Sequence, residues 1–170
     1  MLGAAKELVS VDETLVKKHH WGQQDQDLIW VFGAYEHRTG TVVVEVLPRH
    51  GGRTSECLTG LIQKHINPGS KIYSDGLASY QGLNKLGFEH EIVNHSSEFA
   101  RPGNNGEIIH TNFIERFWHT LKTDLRRFNG LHRDHIPSYL DEIVWRWNRR
   151  TKDPFLHLLE CIAQHPSYKF

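Results

Sequence analysis

Three carboxylates stand at places in this sequence where chemistry can be built. Asp12 lies in ELVSVDETLV and Asp75 in KIYSDG, each close to the end of a short apolar run, and Glu115 lies in NFIERFWHTLKTDLRRF, a stretch of helical period. Carboxylates at strand ends can converge, and two brought side by side repel each other, which invites a divalent cation between them. Mg²⁺ suits such a set because it prefers oxygen ligands, keeps several waters and needs only one or two carboxylates beside a substrate phosphate. The chemistry open to this constellation is metal-assisted phosphoryl transfer.

The helical stretch adds a polar stripe to the carboxylate. At 100° per residue, Glu115, His119, Lys122 and Arg126 fall within about 60° of one another. Ile114, Trp118, Leu121, Leu125 and Phe128 recur at steps of three and four and form the apolar stripe beside it. Glu115 therefore sits at the edge of the core, where it can face the sheet, and Lys122, two turns on, can meet a phosphate while Glu115 holds a cation. Each residue also has a plain structural explanation. Asn112 with Glu115 spells a capping box, Asp75 before Gly76 spells a turn, and His119 can simply pack half-buried on its helix. Asp12 is harder to dismiss, since aspartate is disfavoured in strands. Its neighbour Glu13 points to the opposite face and is the poorer ligand.

The elements that must position these groups read off in order. Residues 7–16 predict a first strand carrying Asp12 near its end, and residues 28–35 and 41–47 predict two more, joined through Gly40 in a hairpin turn. A helix is expected over Thr54–Ile66, stopped by Asn67-Pro68-Gly69, then a short strand over 71–76, a helical stretch near Ala78–Leu86 and a fifth strand over 88–93. Ser96–Gly106 turns polar and reads as a surface loop. Helices are expected over 112–128 and about Ile136–Asn148, and Asp153-Pro154 opens a last one. Three strands, helix, strand, helix, strand and then helices is the order of an α/β domain with a ribonuclease-H-like mixed five-stranded sheet flanked by helices. In such a sheet the first and fourth strands are neighbours, which places Asp12 beside Asp75.

Size and composition agree with one globular domain over residues 1–170, helical from about 112: 38% of the 170 residues are hydrophobic and 24% charged. No apolar run approaches a membrane span, and the start lacks a signal peptide's apolar stretch. Cys57 and Cys161 lie far apart with no CxxC, and the 13 histidines, among them His19, His20, His90, His95 and His110, match no zinc-ligand spacing. Net charge is zero, which weighs against nucleic-acid binding, yet Arg116–Lys152 holds nine basic residues against four acidic ones. That stretch reads equally as a solvated helical face or as a phosphate-contacting surface.

The ordered motifs VDET (11–14), VFGAYE (31–36), NPGSKIYSDG (67–76), VNHSSEF (93–99) and HTNFIERFWHTLK (110–122) resemble those of Merlin-type DDE transposases and their bacterial insertion-sequence relatives. SYLDEIVWRWNRR (138–150) resembles the family's closing helix, so the likeness runs from about Val9 to Arg150. The resemblance implies a catalytic, metal-holding triad of Asp12, Asp75 and Glu115, with Asn112 as the alternative third ligand. It implies Mg²⁺, replaceable by Mn²⁺, as two ions about 3.5–4 Å apart in an in-line displacement without a covalent protein intermediate. Lys122, Arg126 and His119 are then the DNA-facing residues, the partners are transposon-end and target DNA, and a homo-oligomer is expected when active, with no membrane and no small-molecule cofactor. Residence follows the source, nuclear in a eukaryote and nucleoid-associated in a bacterium. Only 11 residues precede Asp12, so an upstream DNA-end-recognition region is expected to be absent, and TLVKKHHWGQQ looks shorter than the family's loop. Those departures keep a second class of function in view, a host-adopted or inactive derivative acting as a non-catalytic DNA- or protein-binding module.

Overall fold

β-Branched and aromatic residues crowd the first third of the chain, and there they pair into a meander. In the computed structural model, which describes residues 1–17, 28–93, 101–102, 108–109, 112–128, 133–151 and 153–164, β1 (Leu8–Lys17) pairs antiparallel with β2 (Leu28–Glu36), and β2 with β3 (Val42–Val46). Gly40 takes φ 69° in the β2–β3 turn, a conformation that suits glycine. Helix α1 (Ser55–His65) follows, with the Thr54 hydroxyl accepting from the Cys57 N–H as its N-cap. β4 (Lys71–Ser74) then runs parallel to β1, and β5 (Glu89–Ile92) parallel to β4. The sheet order is β3-β2-β1-β4-β5, the mixed five-stranded sheet that the sequence predicts.

Alternation along β1 and β2 feeds two cores, one on each face. Val16, Ile29, Val31, Tyr35 and Val42 pack against α2 (Asn112–Leu125) and α3 (Ile136–Asn148). Val9, Val11, Phe32 and Ala34 pack on the other face against Leu58, Ile62, Tyr80 and Leu83. β1 thus separates its odd and even residues cleanly, with Asp12 on the α2 face and Glu13 on the α1 face. The end of α3 also holds the edge strand: the Asn148 side chain accepts from the Val42 N–H at 2.8 Å and donates to the Val42 carbonyl at 2.9 Å, filling two positions an open edge would leave unpaired. Helix α4 (Pro154–Gln164) starts where Asp153 accepts from the Phe155 and Leu156 N–H groups. Among the described residues no helix is long and apolar enough to cross a membrane.

Three expectations change. Asp12 lies in the middle of β1 rather than near its end, because pairing with β2 continues to Lys17. The stretch near Ala78–Leu86 is not an α-helix but two 3₁₀ turns, Ala78–Tyr80 and Leu83–Leu86, separated by Gly82 at φ 101° and ended by Gly87 at φ 84°. β6 (Arg101–Pro102), inside the predicted 96–106 loop, pairs with β7 (Ile108–Ile109) just beyond it; the rest of that loop, residues 18–24 of TLVKKHHWGQQ, and His19, His20, His95 and His110 lie outside the described residues.

One titrating group belongs to the α2-face core. His37 bonds to the Ser10 hydroxyl at 2.7 Å and meets the rings of Tyr35 and Phe113, and burial holds it down to about 4 from its ordinary 6.5. A depressed histidine contributes stability that is complete above pH 6.5 and is lost as pH falls through 4, because the unfolded chain takes up the proton first. We expect wild type to lose on the order of 2 kcal/mol more than His37→Gln between pH 6.5 and 4 in urea unfolding, a value discounted for the ring's partial exposure. Parallel pH curves for the two proteins would refute this.

Candidate active site

The two aspartates meet where the parallel ladder ends. β1 and β4 pair over Leu8↔Lys71, Val9↔Ile72 and Ser10↔Tyr73 only. Asp12 and Asp75 each lie two residues beyond the last pair, so continuing the register sets them opposite each other. Both are half-buried, and Asp75 turns the chain by accepting the Leu77 N–H on Oδ1 at 3.0 Å. This turn is the structural reading of Asp75, and it leaves Oδ2 outside that bond.

Asp12 is fixed by two donors. Its Oδ1 accepts the Glu13 backbone N–H at 2.8 Å, and its Oδ2 accepts the indole N–H of Trp118 at 2.9 Å. Burial nevertheless pushes its pKa from 3.8 to about 6; those two hydrogen bonds pull it down, and the charges of Glu13 and Asp75 push it further up. Burial and the neighbouring carboxylates thus both work against the Asp12 charge, and a divalent cation relieves both. Asp12 and Asp75 fit such an ion by donor type.

Trp118 reaches Asp12 only through a gap in β2. Gly33 lies opposite Asp12 in the β1–β2 register, and a Cβ there would stand 2.3 Å from Cη2 and 2.6 Å from Cζ2 of the Trp118 ring. Glycine is required for space, not for backbone conformation. Sequence reading placed Trp118 in the apolar stripe, which is correct as it stands 5% exposed, but missed its N–H as a donor to Asp12. The available signal was Gly33 inside the run VFGAYE, since an interior strand glycine marks close approach. Tyr80 and Arg53 were missed as well, and no sequence period points to either.

The remaining predicted residues lie along α2, except Arg126, which falls in the turn after the helix ends at Leu125 rather than inside the expected 112–128 helix. Glu115 is exposed in its first turn, and His119, Lys122 and Arg126 are exposed further along. The helix begins at Asn112 itself, so a cap one residue earlier falls outside the described residues. Among the described residues no three His, Cys, Asp or Glu side chains stand close enough to hold a metal as a set, so Asp12, Asp75 and Glu115 do not form a three-ligand cluster as they stand here. Part of the basic stretch serves the fold: Arg127 pairs with Asp124 at 3.2 Å, Arg146 with Glu142 at 2.9 Å, and Arg150 stacks on Trp147.

Residues 4–148 match the ISXO2-like transposase domain. The chain belongs to that family. It is 36% identical over 94 residues to an uncharacterized transposase-like protein of Haemophilus influenzae, an alignment covering 55% of this chain and 72% of that one. The transposase domain also superposes on the catalytic core of HTLV-2 integrase in complex with magnesium. The dimeric form gives TM-score 0.55 at 13% identity, covering 88% and 90% of the two chains, and the trimeric form gives 0.52 at 14%, covering 91% and 94%. A chain of the simian T-cell lymphotropic virus intasome, bound to PP2A regulatory subunit B56 gamma, matches at TM-score 0.55 and 18% identity over 86% of this chain; the domain spans 50% of its length. These likenesses show the fold, and it is the ribonuclease-H-like fold of integrase cores.

The Asp12–Trp118–Gly33 contact yields two expected outcomes. Gly33→Ala should drive the indole out of its slot and lower stability by about 1–3 kcal/mol, with altered tryptophan fluorescence. Trp118→Phe should move the Asp12 titration upward, because the lost donor favoured the ionised form; an unchanged midpoint in a carbon-13 carboxyl titration would rule that out.

Proposed function

We propose that this transposase domain cleaves and joins DNA strands by metal-dependent phosphoryl transfer at Asp12 and Asp75. The observation that carries the reading is the pair itself: two half-buried carboxylates, each two residues past the last bonded pair of the β1–β4 ladder, with Asp12 held above the usual carboxylate range by burial and by its acidic neighbours. Family membership supports the reaction class. Glu115, with Asn112 as the alternative, is proposed as the third ligand, its exposed position on α2 allowing it to close on the pair when DNA and cation are present. Apo catalytic geometry commonly tightens only in the substrate complex.

Asp12 and Asp75 would hold Mg²⁺, or Mn²⁺ in its place, and two ions would satisfy the three-carboxylate set. When bound, the cation supplies Lewis-acid activation of the attacking oxygen and charge neutralisation of the leaving one. Trp118 keeps Asp12 oriented, and the Leu77 N–H keeps Asp75 oriented. In cleavage, a water oxygen bonds to phosphorus as the P–O bond to the 3′-oxygen breaks, and a proton ends on the departing hydroxyl. In strand transfer a DNA 3′-hydroxyl takes the place of water, so no bond to the protein forms. Lys122, exposed on α2, and Arg126, exposed just past its end, would contact DNA phosphates, with His119 between them and Glu115. The substrate is accordingly transposon-end and target DNA. The HTLV-2 integrase cores are described in dimeric and trimeric forms, which supports a homo-oligomer as the active species here.

The test combines binding with chemistry. Wild type should bind Mn²⁺ in a calorimetric titration and nick supercoiled DNA with Mn²⁺ or Mg²⁺, and Asp12→Asn and Asp75→Asn should each lose both, with activity down by about 10³-fold or more. A folded wild-type protein that neither binds Mn²⁺ nor nicks DNA would replace this reading with the non-catalytic binding module.

A further inference from the structure

Beneath the carboxylate pair lies a second acidic group that the proposed chemistry does not use. Glu13 follows Asp12 on β1 and points to the opposite face, where its side chain is only 2% exposed. Its Oε1 accepts from the Tyr80 hydroxyl, and its Oε2 accepts from Nε of Arg53 at 3.1 Å. Tyr80 is fully buried. The Arg53 guanidinium lies over the Trp30 ring at 4.1 Å, so both partners of Glu13 are themselves held.

These bonds lead to Asp75. The Tyr80 N–H donates to the Leu77 carbonyl at 3.1 Å, and the Leu77 N–H donates to Asp75 Oδ1 at 3.0 Å. On a second route, the Ser79 hydroxyl donates to the Arg53 carbonyl at 2.6 Å, tying the same 3₁₀ turn to the residue that grips Glu13. Main-chain pairing of β1 with β4 has stopped at Ser10 and Tyr73, so it does not fix the spacing of Asp12 and Asp75. The side-chain links do. We propose that Glu13 is a positioning residue: through Tyr80 and Arg53 it holds the Asp75 turn at the distance from Asp12 that a shared divalent cation needs, without touching the cation.

This inference rests on the reading of Asp12 and Asp75 as the cation-holding pair. A carboxylate buried under a metal site commonly acts this way, and removing such support typically lowers metal affinity about 10–100-fold. Each Glu13 oxygen already holds one donor, the Tyr80 hydroxyl or Arg53 Nε, on the face away from Asp12, which separates holding a neighbour from ligating an ion.

The experiment measures Mn²⁺ affinity by calorimetry well below the melting transition for wild type, Asp75→Asn, Glu13→Gln, Glu13→Ala and Tyr80→Phe, with thermal melting recorded for each. We expect Tyr80→Phe, which removes one oxygen and keeps the ring, to weaken Mn²⁺ binding by about ten-fold. Glu13→Ala should weaken it at least as much, Glu13→Gln less because its amide oxygen still accepts from Tyr80, and adding Tyr80→Phe to Glu13→Ala should weaken it no further. Tyr80→Phe with normal Mn²⁺ affinity and only a lowered melting temperature would make the contact merely structural and overturn the proposal. Loss of binding in Glu13→Gln as complete as in Asp75→Asn, with Tyr80→Phe unaffected, would make Glu13 a ligand and also overturn it. Undiminished binding in Asp75→Asn would instead remove the carboxylate-pair reading itself, and the positioning role with it.

Discussion

One indole N–H fixes the helical layer to the carboxylate on which the site depends. Trp118 donates to Asp12 across the β2 position occupied by Gly33, and any larger residue there would push the ring away. This contact sets more than Asp12. It fixes the rotation of α2 about its own axis, and so decides where every other α2 side chain lies. Glu115 is three residues earlier, one turn along and about 60° round the helix from Trp118. Phe113, stacked on Tyr35 with ring centroids 5.6 Å apart, holds the start of the same helix to β2. Two aromatic contacts a turn and a half apart leave α2 little freedom to slide, so the Glu115 backbone keeps a defined place beside the sheet and any closing on the pair falls to its side chain.

The sheet divides the work of holding the carboxylates between its two faces. Asp12 is oriented from the α2 side by Trp118, whereas Asp75 is oriented from the α1 side by the turn that Tyr80 and Ser79 secure. The division follows from β1's alternation, because adjacent residues must face opposite layers. It also explains why both aspartates sit where they do. β1, β4 and β5 run parallel, and beyond the carboxyl ends of parallel strands the chain must leave the ladder, freeing side chains and backbone to face a ligand. Asp75 lies at that point and Asp12 is level with it, although β1 itself runs on beside β2.

Much of this was legible in the sequence, and the parts that were not have a common cause. The period of 112–128 gave the buried stripe of α2, and α3 spans Ile136–Asn148 as the pattern predicts, because both helices bury an apolar face against the sheet and the period records that burial. Asp153-Pro154 marked the start of α4 because capping is local chemistry. The error at Ala78–Leu86 arose where local and tertiary demands part: Tyr80 and Leu83 are both buried under the sheet, but Gly82 breaks the turn between them, so apolar spacing resembled a helix without forming one. Asp12 was misplaced within its strand because periodicity reports one strand at a time, while pairing with β2 determines where β1 ends. The Trp118 and Tyr80 donors were invisible for the same reason. Each joins residues tens of positions apart, and no spacing along the chain encodes which face a neighbour will occupy.

On the proposed reading, charge distribution accounts for how a chain of zero net charge can serve a polyanionic substrate. A carboxylate pair repels a phosphate diester, and the repulsion is strongest where burial lowers the dielectric, as it does around Asp12. An attractive surface must therefore lie to one side of the pair rather than around it. Arg127 and Arg146, though exposed, each pair with an acidic neighbour three or four residues earlier, and Arg150 donates to the Trp147 carbonyl, so they add less to that surface. Lys122 lies about two turns along α2 from Glu115, and Arg126 follows the helix's last residue, Leu125, so both are exposed and stand roughly 10–16 Å from Glu115 by helical rise. At physiological salt a charge is felt over about 8 Å, so these two cations and the Glu115 carboxylate act on one another only weakly. On the proposed reading, the backbone of a bound strand is gripped along α2 while its reactive phosphate is carried over the aspartates, where only a cation can make the approach favourable.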